Sequence, residues 1–228
     1  VREYPELPDD MPIPEAVERV TPEGKVVYLT FDDGPSPYTN LLLDVLKKYN
    51  VKATFFVVNR GYHDILRRIV NEGHTIALHC GRHTYRKIYA SEEAYFTDLK
   101  TIQDVVKEQT GVVTTIVRFP GGTGNTVSRG ANKGIMTRLT KMLNAMNYRY
   151  FDWNVNSEDA SGANTAEQIY NNVINGIMNR RISIVLQHDI KYDSVLAVED
   201  ILKWGLKHGY TFKALDMSSP TCEVKPRN

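Results

Sequence analysis

Short β-branched runs and helical stripes alternate along almost the whole of this chain. Residues 26–31, 53–58, 75–79, 115–119, 148–152, 182–186 and 210–213 read as strands. Between them, residues 39–49, 62–71, 91–110, 130–147, 164–179 and 193–208 carry apolar residues at helical spacing. Gly73, Gly111 and Gly209 stop three of these helices. About seven strand–helix units in succession predict an α/β protein with a parallel sheet and helices outside it. A closed barrel and an open doubly wound sheet both satisfy the pattern. In either, chemistry belongs at the C-terminal ends of the strands.

The unusual polar residues stand at those ends. Asp32 and Asp33 follow the first strand, and Gly34-Pro35 turns the chain away from them. His79 and His83 follow the third, Arg118 the fourth, Asp152 and Trp153 the fifth, and His188 and Asp189 the sixth. The second strand contributes only Asn59 and Arg60.

A net charge of +1 on 228 residues gives no footprint for nucleic acid or another polyanion. No apolar run is long enough to cross a bilayer. Two cysteines, Cys80 and Cys222, are too few for a disulfide scaffold. Three segments are expected: a Pro- and Glu-rich linker or N-terminal arm at 1–24, one domain at 25–216 and a tail at 217–228.

Each polar cluster has two readings. His79 and His83 are four residues apart, which on a helical turn puts both rings on one side, as two ligands of one ion require. The same spacing also describes two solvated loop histidines. Asp33 would be a third ligand, and an Asp/His/His set leaves positions open, as in catalytic rather than structural zinc sites. Arg118 at the end of an apolar strand needs a carboxylate, and the reading is either a rim salt bridge or an active-site clamp. The Pro120-Gly121-Gly122 run is a turn, or a source of N–H donors for a developing oxyanion. A carboxylate beside His188 would raise its pKa and fit it for general acid work near neutral pH.

Taken together, TFDDGPS at 30–36, HCGRH at 79–83, RFPGG at 118–122, DW at 152–153 and LQHD at 186–189 resemble the five motifs of the polysaccharide deacetylase family, the NodB-homology or carbohydrate esterase family 4 domain. They keep the family's order and span residues 26–213. The region around RFPGG is most similar to the peptidoglycan N-acetylglucosamine deacetylases. The resemblance implies a distorted (β/α) barrel of about seven parallel strands. It implies that Asp33, His79 and His83 hold a divalent metal, zinc first, with cobalt, manganese or nickel as alternatives. Asp32 would be the general base on a metal-activated water, positioned by Arg118. His188 would be the general acid, tuned by Asp152. The Gly121 N–H would complete the oxyanion hole, and Trp153 and Leu186 would shape the pocket for the acetyl methyl.

The expected partner is therefore a polysaccharide, peptidoglycan or a chitin-like glycan, met by a monomer with no nucleic acid and no membrane span in this chain. The expected location is extracellular or at the cell surface, through a tether preceding Val1. Chitin-oligomer deacetylase, acetylxylan esterase and a catalytically silent carbohydrate-binding domain are the competing functions. Three departures stand out. Cys80 replaces the usual Ser or Thr and could coordinate, oxidise or point away. Gly121 and Gly122 replace an aromatic residue, which should open the groove. Asn154 and Asn156 stand where a second acid often follows.

Overall fold

The computed structural model describes residues 7–227. Among these, eight strands form one sheet in which every pairing is parallel. They are β1 (Lys25–Asp32), β2 (Thr54–Val58), β3 (Thr75–Cys80), β4 (Ile116–Val117), β5 (Arg149–Tyr150), β6 (Val155–Asn156), β7 (Ile182–His188) and β8 (Tyr210–Phe212). The spatial order is β5-β4-β3-β2-β1-β7-β6. Short β8 pairs with Lys25–Val27, below the stretch of β1 that pairs with β2. The sheet curls into a distorted (β/α) barrel that is open between β5 and β6. The chain itself crosses that gap: Phe151 N–H donates to the Val117 carbonyl on one side and Asn154 N–H to the Ile184 carbonyl on the other.

Period-two alternation decides what faces the barrel interior. Val26, Tyr28, Phe56, Ala77, Ile116, Phe151, Ile184 and Leu215 form the inner cluster. Their neighbours Val27, Leu29, Phe31, Phe55, Val57, Ile76, Leu78, Val117 and Val185 pack outward against the helices. Sheets covered on both faces need strands that are apolar throughout, which is why 26–31 and 53–58 read as continuous apolar runs. Extending the inner register upward places Thr30 and Asp32, His79, Arg118, and Leu186 and His188 at the rim of the barrel.

The helices are α1 (Thr39–Lys48), α2 (His63–Asn71), α3 (Tyr85–Ile88), α4 (Glu92–Thr110), α5 (Val127–Ala131), α6 (Ile135–Ala145), α7 (Ala166–Ile177) and α8 (Tyr192–Lys207). The Ser91 side chain caps α4 by accepting from Ala94 N–H, and Gly111 ends it in the left-handed region. In α1 the buried stripe is Leu42, Leu43 and Leu46, and Leu41 is exposed. The single helix expected over 130–147 is two, broken at residues 132–134, where Gly134 has φ of 80°. Strand β6 and helix α3 answer to no sequence expectation.

Residues 7–24 form no helix or strand. Met11 is buried in the outer core. Asn147 donates to the Pro14 carbonyl, Arg149 to that of Val17, and Val20 N–H to that of Ser218. Arg19 pairs with Glu223 of the tail at 2.7 Å. Residues 1–6 of the expected arm and Asn228 of the expected tail lie outside the described residues. No described helix is long and apolar enough to cross a membrane.

Candidate active site

Strand alternation sends Asp32 inward and should send Asp33 outward. A φ of 74° at Asp33 breaks the alternation and returns its carboxylate to the inner side. The turn is pinned from β2 and the loop after it: Val58 N–H donates to the Gly34 carbonyl at 2.8 Å, and Arg60 Nε to the Asp33 carbonyl at 2.6 Å.

His79 ends β3 facing inward, and its Nδ1 lies 2.8 Å from the Arg118 carbonyl. A carbonyl can only accept, so Nδ1 carries the proton and Nε2 offers a lone pair. That Nε2 lies 3.3 Å from Asp33 Oδ1, and His83 Nε2 lies at the same distance from the same oxygen. The two histidines do not share the helical turn that their spacing predicts. His79 is in the strand, and His83 follows a bend held by Asp98, whose carboxylate takes the Gly81 and Arg82 N–H groups at 2.7 and 2.9 Å.

The ligand atoms of Asp33, His79 and His83 lie within 4.8 Å of one another. Ligands on a tetrahedral zinc ion stand roughly 3.4 Å apart. Asp33 Oδ1 is sealed from solvent with no hydrogen-bond partner, a costly state for a carboxylate oxygen unless a cation meets it. The donor set therefore fits a divalent ion. Burial opposes the charge on Asp33, but the nearby His79, His83 and His188 imidazoles hold its pKa below the usual carboxylate range. Burial lowers the pKa of His83, favouring the neutral ring that ligates. Cys80 alternates away from the donor set into the outer packing, where burial pushes its thiol pKa up.

Arg118 is wholly buried. Its guanidinium donates to the Phe151 carbonyl at 2.9 Å, the Asp152 carbonyl at 3.1 Å, Thr30 Oγ1 at 2.6 Å and Asp32 Oδ1 at 2.9 Å. It also lies 4.1 Å from the Phe56 ring centre. Thr30, absent from the sequence reading, sits two residues before Asp32 on the same face and accepts one arm of the clamp.

The acid beside His188 is Asp159, not Asp152. Asp159 Oδ1 meets His188 Nδ1 at 2.7 Å, and its Oδ2 takes the His188 N–H at 2.7 Å. Strand order explains the correction. His188 ends β7, whose edge neighbour is β6, and Asp159 lies just past β6. Asp152 follows β5 on the opposite edge. Its carboxylate accepts from Thr123 N–H, Thr123 Oγ1 and Val224 N–H, so it ties the Gly-rich turn to the tail. The resemblance called for a second acid, sought at 154–156, and that acid stands at 159. Burial works against a charged His188, but the Asp159 hydrogen bond and the charges of Asp159, Asp32 and Asp33 prevail and push its pKa up to about 9.

Leu186 lies on the inner face two residues before His188, almost fully buried. Trp153 is half-buried, its ring centre 5.7 Å from the Arg118 guanidinium. Gly121 lies in the same turn with φ of 78°. The groove is not simply opened there, because Tyr85 of α3 fills the space: a Cβ on Gly121 would lie 3.0 Å from its ring. His74 is buried at the opposite end of β3, where its Nδ1 accepts the Ala53 N–H.

The family model for polysaccharide deacetylase matches residues 19–149. A peptidoglycan-N-acetylglucosamine deacetylase of Bacillus cereus is 32% identical over 204 residues, 84% of this chain and 70% of that protein. The crystal structure of the catalytic domain of a peptidoglycan N-acetylglucosamine deacetylase from Eubacterium rectale superposes with a TM-score of 0.91 at 48% identity, covering 93% of this chain and 98% of that one. A Bacillus cereus polysaccharide deacetylase superposes with a TM-score of 0.74 at 32% identity, covering 86% and 96%. The family match ends within β5, the structural likeness covers 93% of the chain, and on both grounds the chain belongs to the polysaccharide deacetylase family.

Proposed function

We propose that the chain is a metal-dependent hydrolase that removes N-acetyl groups from a polysaccharide, with the N-acetylglucosamine of peptidoglycan as its substrate. The observation that carries this reading is the meeting of Asp33 Oδ1, His79 Nε2 and His83 Nε2 within 4.8 Å, around a carboxylate oxygen that is otherwise without a partner. The Bacillus cereus and Eubacterium rectale relatives, named for that substrate, support the choice of glycan. On this reading the protein works at the cell surface, where peptidoglycan lies.

A divalent ion held by Asp33, His79 and His83 would polarise the acetyl carbonyl and make a water acidic enough to attack near neutral pH. Asp32 is the base for that water. Arg118 grips its Oδ1 and leaves Oδ2 to take the proton. The Gly121 N–H donates to the oxygen that becomes negative during attack, a contribution typically worth roughly 3 kcal/mol of barrier. His188 gives its proton to the departing sugar amine from Nε2, because Nδ1 is held by Asp159. Leu186 and Trp153 bound the acetyl methyl and exclude water. Acetate and a free glucosamine amine are the products.

The test is acetate release from purified peptidoglycan, chitin oligomers and acetylxylan, before and after chelation and with zinc, cobalt, manganese or nickel restored. Peptidoglycan is expected to be turned over fastest. Release from acetylxylan alone would make the protein an esterase. Glycan binding without release from any of the three would make it a silent binding domain.

A further inference from the structure

We infer that Tyr85 is a second donor to the acetyl carbonyl oxygen, acting beside the Gly121 N–H. The inference takes its substrate from the deacetylase reading above. Tyr85 opens α3, two residues after His83, and its ring stands edge-on to the His83 imidazole with centres 5.2 Å apart. It is half-buried. A Cβ built on Gly121 would lie 3.0 Å from Tyr85 Cε1 and 3.1 Å from its hydroxyl. The phenol therefore occupies the space that any side chain at position 121 would need, with its oxygen against the turn that carries the oxyanion donor. The other side of that turn is pinned by Tyr89, whose hydroxyl donates to the Pro120 carbonyl at 2.8 Å.

Tyr89 has an acceptor for its hydroxyl, whereas the Tyr85 hydroxyl has none among the described residues. The Tyr85 oxygen is open to solvent rather than sealed, so an arriving ligand can reach it. A hydroxyl between a metal-ligand imidazole and the Gly121 turn is placed for an acceptor that arrives with the substrate. The acetyl carbonyl oxygen is such an acceptor, and it gains charge in the transition state. A donor fixed in advance by ring packing stabilises that charge without reorganising. Gly121 and Tyr85 thus form one unit: the glycine gives up its side chain so that the phenol can approach.

Tyr85→Phe keeps the ring and removes only the donor. In the full chain with zinc added, kcat on peptidoglycan and chitin oligomers is expected to fall roughly tenfold to a hundredfold, with KM changed less than about twofold. Acetate carries the same oxygens, so its affinity, measured by titration calorimetry, should weaken at least about fivefold in Tyr85→Phe. A kcat and an acetate affinity both within twofold of the parent would reduce Tyr85 to packing and overturn the inference. If the parent releases no acetate from any glycan, the deacetylase reading fails, and the acetate titration alone still decides Tyr85. Acetate that does not bind the parent at all also overturns the inference.

Discussion

Asp32 and His188 are paired residues in the β1–β7 ladder. Parallel strands lie about 4.8 Å apart, so the sheet sets the proposed base and the proposed acid side by side on one face. Each is then held by a different partner, Asp32 by Arg118 at 2.9 Å and His188 by Asp159 at 2.7 Å. The two proton-carrying groups are adjacent, but their partners come from opposite sides of β1, Arg118 after β4 and Asp159 after β6. This separation allows each role to be altered alone.

A general acid must carry its proton, so the rate falls as pH rises through the His188 pKa. That value is pushed up to about 9, with Asp159 supplying both a hydrogen bond and a charge. Asp159→Asn keeps the shape and removes the charge. The pKa of His188 should fall, and the alkaline limb of the kcat–pH profile should move to lower pH by roughly 1–2 units. A limb that stays in place would mean that His188 is not the group being titrated.

Asp152→Ala should do the reverse. It takes the acceptor from the buried Thr123 N–H and from the Val224 N–H without moving any charge next to His188. The expected cost is about 1–3 kcal/mol in urea denaturation, with the alkaline limb unmoved.

The contrast between these two acids marks where the sequence was legible. Asp32, His79 and His188 end strands of eight, six and seven residues, and Arg118 is a lone charge directly after the apolar pair Ile116–Val117. Asp159 follows β6, which is two residues long and too short to carry a period. Its identity depends on which strand neighbours β7, a non-local fact. Asp33 was recognised by type, but its inward aim depends on a left-handed backbone angle that no pattern reveals. The filling of the Gly121 space by Tyr85 is likewise a contact between distant segments, hidden in a four-residue helix.

Arg118 and Asp32 form a buried pair, and the two partners should fail differently when removed. Asp32→Asn leaves an acceptor for the guanidinium, so the protein should stay folded by circular dichroism while kcat falls by about two to four orders of magnitude. Arg118→Met leaves the Asp32 carboxylate buried without its cation and the Phe151 and Asp152 carbonyls without a donor. That change should cost about 3–5 kcal/mol of stability in addition to activity. Substantial turnover by Asp32→Asn would assign the base elsewhere.

The metal proposal has a test that needs no turnover. An ion that binds only the folded chain stabilises it by about 2.7 kcal/mol at a hundredfold excess over Kd. For a domain of this size that raises Tm by roughly 5–10 °C. Chelation should remove the gain, and His79→Ala should abolish it. Asp98→Ala is the sharper case. Asp98 meets no ion, but it fixes the bend between the two histidines through the Gly81 and Arg82 N–H groups. Without it, His83 must be ordered at the moment of binding, and zinc affinity should weaken roughly 10–100-fold, as for other groups that orient a ligand. The apoprotein of Asp98→Ala should still fold, because the carboxylate is partly exposed and the outer core does not contain it. A zinc affinity equal to that of the parent would show that the bend holds His83 without Asp98, and that the Asp33, His79 and His83 geometry is set by the strands alone.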